Sequence, residues 1–276
     1  MDDPTNLIVG YPGRDGAHSA AACEQLFRDA AELVALPSFA AVTRATADGS
    51  IDFGVLPIES SLAGPVAETH DLLYESPLAI TGETVLPIRH FLVGPEDISL
   101  DRITAVHSHP VALDQCRRLL ASLPTATAIA AATTADAAAD VAERHEPTEV
   151  AIASERAARL HGLTVIAADV GDHPEAFTRF VSISNRTQLA EGSDWRIAFS
   201  FQTDHRPGAL HRAIEPFARH ALDLVQLTSR PIPQTPWRYR FDAVLSGHPL
   251  DPVVCETLAE VRRQAQRFTV FGSYPA

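Results

Sequence analysis

Thr178-Arg179-Phe180-Val181-Ser182-Ile183 sets a hydroxyl and a permanent cation at the head of an apolar strand. Arginine offers a rigid fork that matches a carboxylate, and threonine adds a neutral donor beside it. Upstream, short apolar runs alternate with Ala-rich stretches of helical composition. The strands expected are Leu7-Ile8-Val9, Leu33-Val34-Ala35, Phe53-Gly54-Val55-Leu56, Ile103-Thr104-Ala105-Val106, Val150-Ala151-Ile152 and Thr164-Val165-Ile166-Ala167. Helices are expected over Ser19–Arg28, Val66–Tyr74, Pro110–Ala121, Thr134–Glu143 and Ser154–Leu160. That alternation predicts an α/β fold with mainly parallel sheet. The tract from Thr125 to Ala142 reads as helix rather than disorder.

Downstream of Ser193 the character changes. Trp195–Phe201 reads as a strand, and Leu210, Ile214 and Phe217 share one helical face. Strands at Leu222–Thr228 and Trp237–Ala243, a helix from Asp251 and a last strand Phe268–Phe271 complete a βαββαβ order, the ferredoxin-like arrangement. The polar segment Gln188–Asp194 is the expected linker.

At 276 residues, with 46% hydrophobic and 21% charged residues, the chain has material for more than one buried core. A formal charge of −13 argues against nucleic acid and anionic membrane surfaces as partners. Met1-Asp2-Asp3-Pro4 is acidic, unlike a secretion signal, so a cytoplasmic location is expected. Cys23, Cys116 and Cys255 have no metal or redox spacing, and no metal site is expected. Every basic residue is arginine, which excludes a lysine Schiff base and a P-loop lysine. An anionic substrate must be held by Arg, hydroxyls and backbone N–H groups.

Several strand-to-helix junctions carry that chemistry: Gly16-Ala17-His18-Ser19, Ser60-Ser61-Leu62-Ala63-Gly64-Pro65, Ser108-His109-Pro110 and Ser154-Glu155. Each is accounted for by capping alone, but several helix N-termini on one cleft bind an anion. His107 and His109, separated by one serine, point to packing or capping rather than metal. His18 and His173 have no assigned role.

Taken in order, these blocks resemble prephenate dehydratases with a C-terminal ACT regulatory domain, from Leu7 to Pro275. Gly13–Ser19 is similar to the family's glycine-rich loop, and Gly54–Ser61 to its Pro-Ile-Glu-Asn-Ser segment. Gly82-Glu83 with Leu86–His90, Ser108-His109-Pro110 with Gln115-Cys116, and the signature Thr178-Arg179-Phe180 follow. Gly208-Ala209-Leu210 and Ser229-Arg230-Pro231 look like phenylalanine-binding elements.

The resemblance implies a two-lobed, periplasmic-binding-protein-like catalytic region over residues 1–187 and an ACT domain over 194–276. Lobe 1 would comprise about 1–78 and 172–187, and lobe 2 about 79–171, with crossings near Pro77–Glu83 and Val170–Thr178. The reaction implied is decarboxylative dehydration of prephenate to phenylpyruvate in phenylalanine biosynthesis, without cofactor. Thr178 is expected to donate to the departing hydroxyl and Arg179 to hold a carboxylate. Ser108 and Gln115, two turns apart on one helix, would both contact substrate. Ser19, Ser60, Ser61 and Phe180 would line the substrate site. Glu59 is either a general acid or an anchor for its loop. Phenylalanine is the expected effector, and a homodimer or homotetramer the expected assembly.

Three departures stand out. Ser60 replaces the family's asparagine, Ala17-His18 replaces Thr-Phe or Ala-Tyr, and Thr228 replaces a glutamate. They keep open a non-aromatising prephenate decarboxylase and an arogenate dehydratase. A two-lobed amino-acid-binding sensor is the non-enzymatic alternative.

Overall fold

A computed structural model describes residues 7–28, 31–95, 98–186 and 193–276. The acidic N-terminus and most of the expected linker lie outside the described residues. No helix is long and apolar enough to cross a membrane among the described residues.

The first sheet begins with β1 (Leu7–Pro12), α1 (His18–Phe27), β2 (Ala31–Leu36), α2 (Phe39–Asp48) and β3 (Phe53–Ser60). A two-residue β4 (Gly64–Pro65) folds back on β3, and α3 (Ala67–Glu75) and β5 (Ala79–Pro87) follow. The second sheet is built from β6 (Phe91–Gly94), β7 (Ala105–Ser108), α4 (Pro110–Asp114), α5 (Arg117–Ala121), β8 (Thr127–Ala130), α6 (Thr134–Arg144), β9 (Glu149–Ala153), α7 (Glu155–Leu160) and β10 (Thr164–Ala167). The chain then returns to the first sheet as β11 (Phe177–Ser184).

Strand orders are β2-β1-β3-β11-β5 and β10-β6-β9-β7-β8. Both sheets are mixed, which corrects the expectation of mainly parallel pairing. β1–β2, β1–β3, β7–β8 and β7–β9 are parallel. The strands that carry the chain out of and into each lobe run antiparallel to their neighbours: β11 against β3 and β5, β6 against β9 and β10. The lobe boundary also moves. β5 pairs with β11 from Ala79 to Pro87, so residues 79–87 belong to the first lobe, not the second. The two crossings lie side by side, with Ile88 N donating to Ala176 O (2.7 Å) and Val170 N to His90 O (2.9 Å).

Two expected helices break for identifiable reasons. The Ala-rich tract splits, because Thr127 and Ile129 enter β8 beside β7 and only Thr133, whose hydroxyl accepts from Asp136 N at 3.0 Å, starts α6. The helix expected over Pro110–Ala121 stops at Asp114. There the Asp172 carboxylate, from the return crossing, accepts from Arg117 N (2.9 Å) and Arg118 N (3.1 Å) and begins α5.

The third sheet has the expected βαββαβ order: β12 (Trp195–Gln202), α8 (Ala209–Arg219), β13 (Leu224–Pro231), β14 (Tyr239–Ser246), α9 (Pro252–Gln264) and β15 (Arg267–Pro275). Its strand order β13-β14-β12-β15, antiparallel throughout, is ferredoxin-like. Leu210, Ile214 and Phe217 pack on Phe199 and Phe201 as their spacing predicts. The face of this sheet opposite α8 and α9 closes on the first lobe. Ala198, Val244, Phe271 and Tyr274 share one core with Leu56, Ile58, Leu73, Ile80 and Val181.

A buried ionic network reinforces that contact. Arg240 is fully buried. Its Nη2 donates to Asp71 Oδ1 at 2.7 Å and to His70 O at 3.2 Å, and its Nε to Asp242 Oδ1 at 3.2 Å. His70 Nδ1 meets Asp242 Oδ2 at 3.1 Å, and the guanidinium stacks 4.3 Å over Tyr74. Arg230 Nη2 reaches the other oxygen of Asp71 at 2.7 Å. All three first-lobe partners, His70, Asp71 and Tyr74, stand on α3, so one helix is clamped to the third sheet along its length.

Candidate active site

A cleft of about 800 Å³ opens between the two lobes. Its fringe is a set of helix starts. The turn into α1 needs positive φ at Gly13 (102°) and Gly16 (89°), and His18 and Ser19 follow on the cleft wall. Gly16 also admits the second lobe: a Cβ there would stand 3.0 Å from Ala157 Cα. Ser154 ties the two, donating to Gly16 O at 2.9 Å while capping α7 through Ala157 N at 3.0 Å. Ser38 caps α2 by accepting from Ala41 N (3.1 Å), and His109 caps α4 by accepting at Nδ1 from Val111 N (3.2 Å). Ser38, His109 and Thr133 all line the cleft. Helix starts from both lobes therefore present N–H groups and partial positive charge to one space.

Across this space Arg14 Nε meets Asp136 Oδ1 at 2.6 Å, joining the glycine turn to α6. Arg14 is the sole arginine among the described residues lining the cleft. Where the crossings meet, His90 Nε2 lies 2.8 Å from Gln115 Oε1. Gln115 O in turn accepts from Asp172 N at 2.6 Å, so this glutamine is held by both crossings.

The histidines here are neutral bases. Burial, with a smaller contribution from the neighbouring His90, pushes the His18 imidazole from 6.5 down to about 4. Burial likewise lowers His90, against the Gln115 hydrogen bond, and lowers His109. An imidazole whose folded pKa lies below its unfolded value binds fewer protons folded than unfolded. Stability present above about pH 6.5 is therefore lost as the pH falls towards about 4. His18→Phe is expected to flatten the fall of the urea midpoint across that window relative to the parent chain. An unchanged pH dependence would count against the buried neutral imidazole.

Of the residues expected in the site, Thr178, Phe180, Ser19, Ser60 and Gln115 line the cleft. Four do not. Arg179 follows Thr178 on a strand, so it points to the opposite face. There its Nη1 donates to Glu83 Oε1 at 3.1 Å and Oε2 at 3.2 Å, and its Nε lies 3.6 Å from Glu59 Oε2. This corrects the expected carboxylate grip by Arg179 and places Glu59 as its ionic partner, the anchoring alternative. Ser108 is fully buried, and its hydroxyl donates to Ile152 O at 2.6 Å, tying β7 to β9. Ser61 clasps the start of β11, accepting at Oγ from Phe177 N and donating its own N–H to Phe177 O, both at 2.9 Å. Pro65, expected at a helix start, lies in β4.

In the third domain Gly208 caps α8 with φ 76°, and Ser229, Arg230 and Pro231 end β13. Arg230 is turned to α3. His109 as a cap and His107 packed against Glu149 (3.0 Å) bear out the reading of that histidine pair. Cleft residues without an expected role include His18, His90, Arg14, Asp136 and Ser38. His109-Pro110 and Ser38-Phe39 carry local capping signals, whereas Arg14 and Asp136 are far apart in sequence and carry none.

A two-lobed cleft fringed by helix starts, with a ferredoxin-like domain clamped to the first lobe, defines the class: an α/β protein whose interlobe cleft suits a small anionic ligand. The comparisons narrow this class. The prephenate dehydratase family model matches residues 9–188. A bifunctional chorismate mutase/prephenate dehydratase of Stutzerimonas stutzeri is 34% identical over 270 residues, 98% of this chain and 73% of that one. A bifunctional N-acyl-homoserine lactone acylase/prephenate dehydratase of Komagataeibacter europaeus is 32% identical over 271 residues, 98% of this chain and 96% of that one. The solved prephenate dehydratase of Arthrobacter aurescens, a complex with L-Phe, superposes with a TM-score of 0.89 at 30% identity, covering 98% of this chain and 90% of that one. The chain belongs to the prephenate dehydratase family and is an enzyme of that family.

Proposed function

We propose that the chain converts prephenate to phenylpyruvate, carbon dioxide and water in this cleft, and that phenylalanine bound to the C-terminal domain slows it. The observation that carries the reading is Thr178 on the cleft face of β11, opposite helix starts contributed by both lobes. Those helix starts, with Arg14, hold the two carboxylates. The Gln115 amide donors orient the ring. Thr178 donates a hydrogen bond to the C4 hydroxyl as the C4–O bond breaks. The ring carboxylate leaves as carbon dioxide, and its bonding pair completes the aromatic ring. The departing hydroxide takes a proton from solvent and leaves as water. Threonine is too weak an acid to give its proton away at neutral pH, so its work is preorganised charge stabilisation.

Three free thiols, two of them buried, accord with a cytoplasmic enzyme. β13 is an edge strand, which accords with pairing into a homodimer or homotetramer. The effector elements on α8 and β13 belong to different elements of one domain, so a second copy would close the phenylalanine site between them.

Incubation with prephenate at neutral pH, followed by NMR, tests the assignment. Aromatic phenylpyruvate is expected, at a rate that falls when phenylalanine is added. A non-aromatic dihydro product would move the chain to a decarboxylase, with Ser60 and His18 the first residues to exchange. Turnover of arogenate alone would change the substrate and keep the chemistry. A rate indifferent to phenylalanine would remove the regulatory half.

A further inference from the structure

Gln115 reaches the cleft from the end of α4 with its backbone fixed on both sides. Its N–H donates to Val111 O at 3.0 Å, and its carbonyl accepts from Asp172 N at 2.6 Å. The side-chain amide has no such constraint of its own. It turns easily about its last bond and presents either an oxygen or two N–H donors, which act in opposite ways on an anion. Among the described residues this amide makes one hydrogen bond, to His90 Nε2 at 2.8 Å.

That bond sets the orientation. The atom contacted is Oε1, which only accepts, so His90 Nε2 carries the hydrogen and donates it. The amide nitrogen is thereby left for the cleft, which Gln115 lines. The reverse pairing would turn the amide oxygen on an anionic substrate. It would also put a hydrogen on His90 Nδ1, which is buried and has no partner among the described residues. Burial favours the neutral ring, and Nε2–H is a donor in the neutral form adopted here and in the cation alike.

The imidazole is itself well held. His90 is 5% exposed, and its carbonyl accepts from Val170 N at 2.9 Å on the return crossing. A Cβ on Gly171, the next residue of that crossing, would stand 3.5 Å from His90 Cδ2 and 4.0 Å from Gln115 O. The crossing therefore lies against both residues and keeps ring and glutamine together.

We propose that His90 is a positioning residue for Gln115, holding the amide oxygen back so that both amide donors face the substrate. This rests on the reading that the Gln115 donors orient the ring of prephenate.

Two amide substitutions test it, because glutamine sets a nitrogen near the imidazole Nε2 and asparagine sets one near Nδ1. His90→Asn is expected to lower kcat about tenfold, the scale of one hydrogen bond, with KM little changed. His90→Gln restores the donor to Gln115 and is expected to keep kcat close to the parent's. Both variants place an amide in the same buried position, so their urea midpoints should move together while their rates part. In a Gln115→Met background, which keeps the length and removes the amide, His90→Asn is expected to lower kcat no further. Equal slowing by the two His90 variants, no slowing by His90→Asn, or the same fall in the Gln115→Met background would overturn the positioning role alone. Undiminished turnover in Gln115→Met would overturn the reading beneath it.

Discussion

Thr178→Val is expected to lower kcat for prephenate by about 10²- to 10³-fold while the protein stays folded, the cost of removing one preorganised donor to a developing oxyanion. Valine matches threonine in shape and keeps its β-branch, so β11 and its pairing to β3 and β5 should persist. The substrate's carboxylates are held elsewhere, so KM should move far less than kcat. This split separates a group that acts in the transition state from one that merely binds substrate. Arg179→Gln would slow the reaction by a different route, through loss of the Glu83 contact, and should also lower the urea midpoint. Initial rates of phenylpyruvate formation and a urea titration on each variant distinguish the two.

Arg240→Met is expected to cost about 3–5 kcal/mol of stability, the usual penalty for leaving a buried ion without its partner. The side chain is fully buried and serves Asp71, Asp242 and the His70 carbonyl at once. Asp71 keeps Arg230, but Asp242, 4% exposed, is left with His70 alone. Methionine preserves much of the packing over Tyr74, so the loss reports charge rather than volume. The double change Arg240→Met/Asp242→Leu should recover most of it, because a buried pair replaced by apolar side chains is often close to neutral. The measurement is urea denaturation followed by circular dichroism. A single variant as stable as the parent would mean that α3 is held to the third sheet by apolar contact alone.

Where structure is set locally, the residues announce it. β1, β2 and β3 follow their apolar runs, α6 starts at its threonine cap, and the third sheet's four strands and two helices appear in the expected order. What escaped was set by distant partners. The break between α4 and α5 depends on Asp172, more than fifty positions along the chain. β5 carries Gly82, Glu83 and Pro87 and lacks clean alternation, because α1 packs on it from one side and β15 from the other. Its assignment to the first lobe moved the crossing to Ile88–His90.

The site was half legible for the same reason. Thr178 and Phe180, two apart on a strand, share a face, and the period that unites them sends Arg179 to the rear. A cation was expected to seek the substrate's carboxylate, but Glu83 and Glu59 satisfy it first. Ser108 ends β7 ahead of the helix, which begins only at Pro110, and its hydroxyl is spent on Ile152 O. Arg14 came unannounced, since its partner Asp136 stands in the other lobe.

The most direct test of which face of β11 does the chemistry is a crystal structure of the slow Thr178→Val variant with prephenate bound. The ring is predicted to lie in the cleft between the start of α1 and Gln115, its C4 hydroxyl against the position-178 side chain, with Arg179 still on Glu83. A substrate carboxylate found on Arg179 instead would contradict the account.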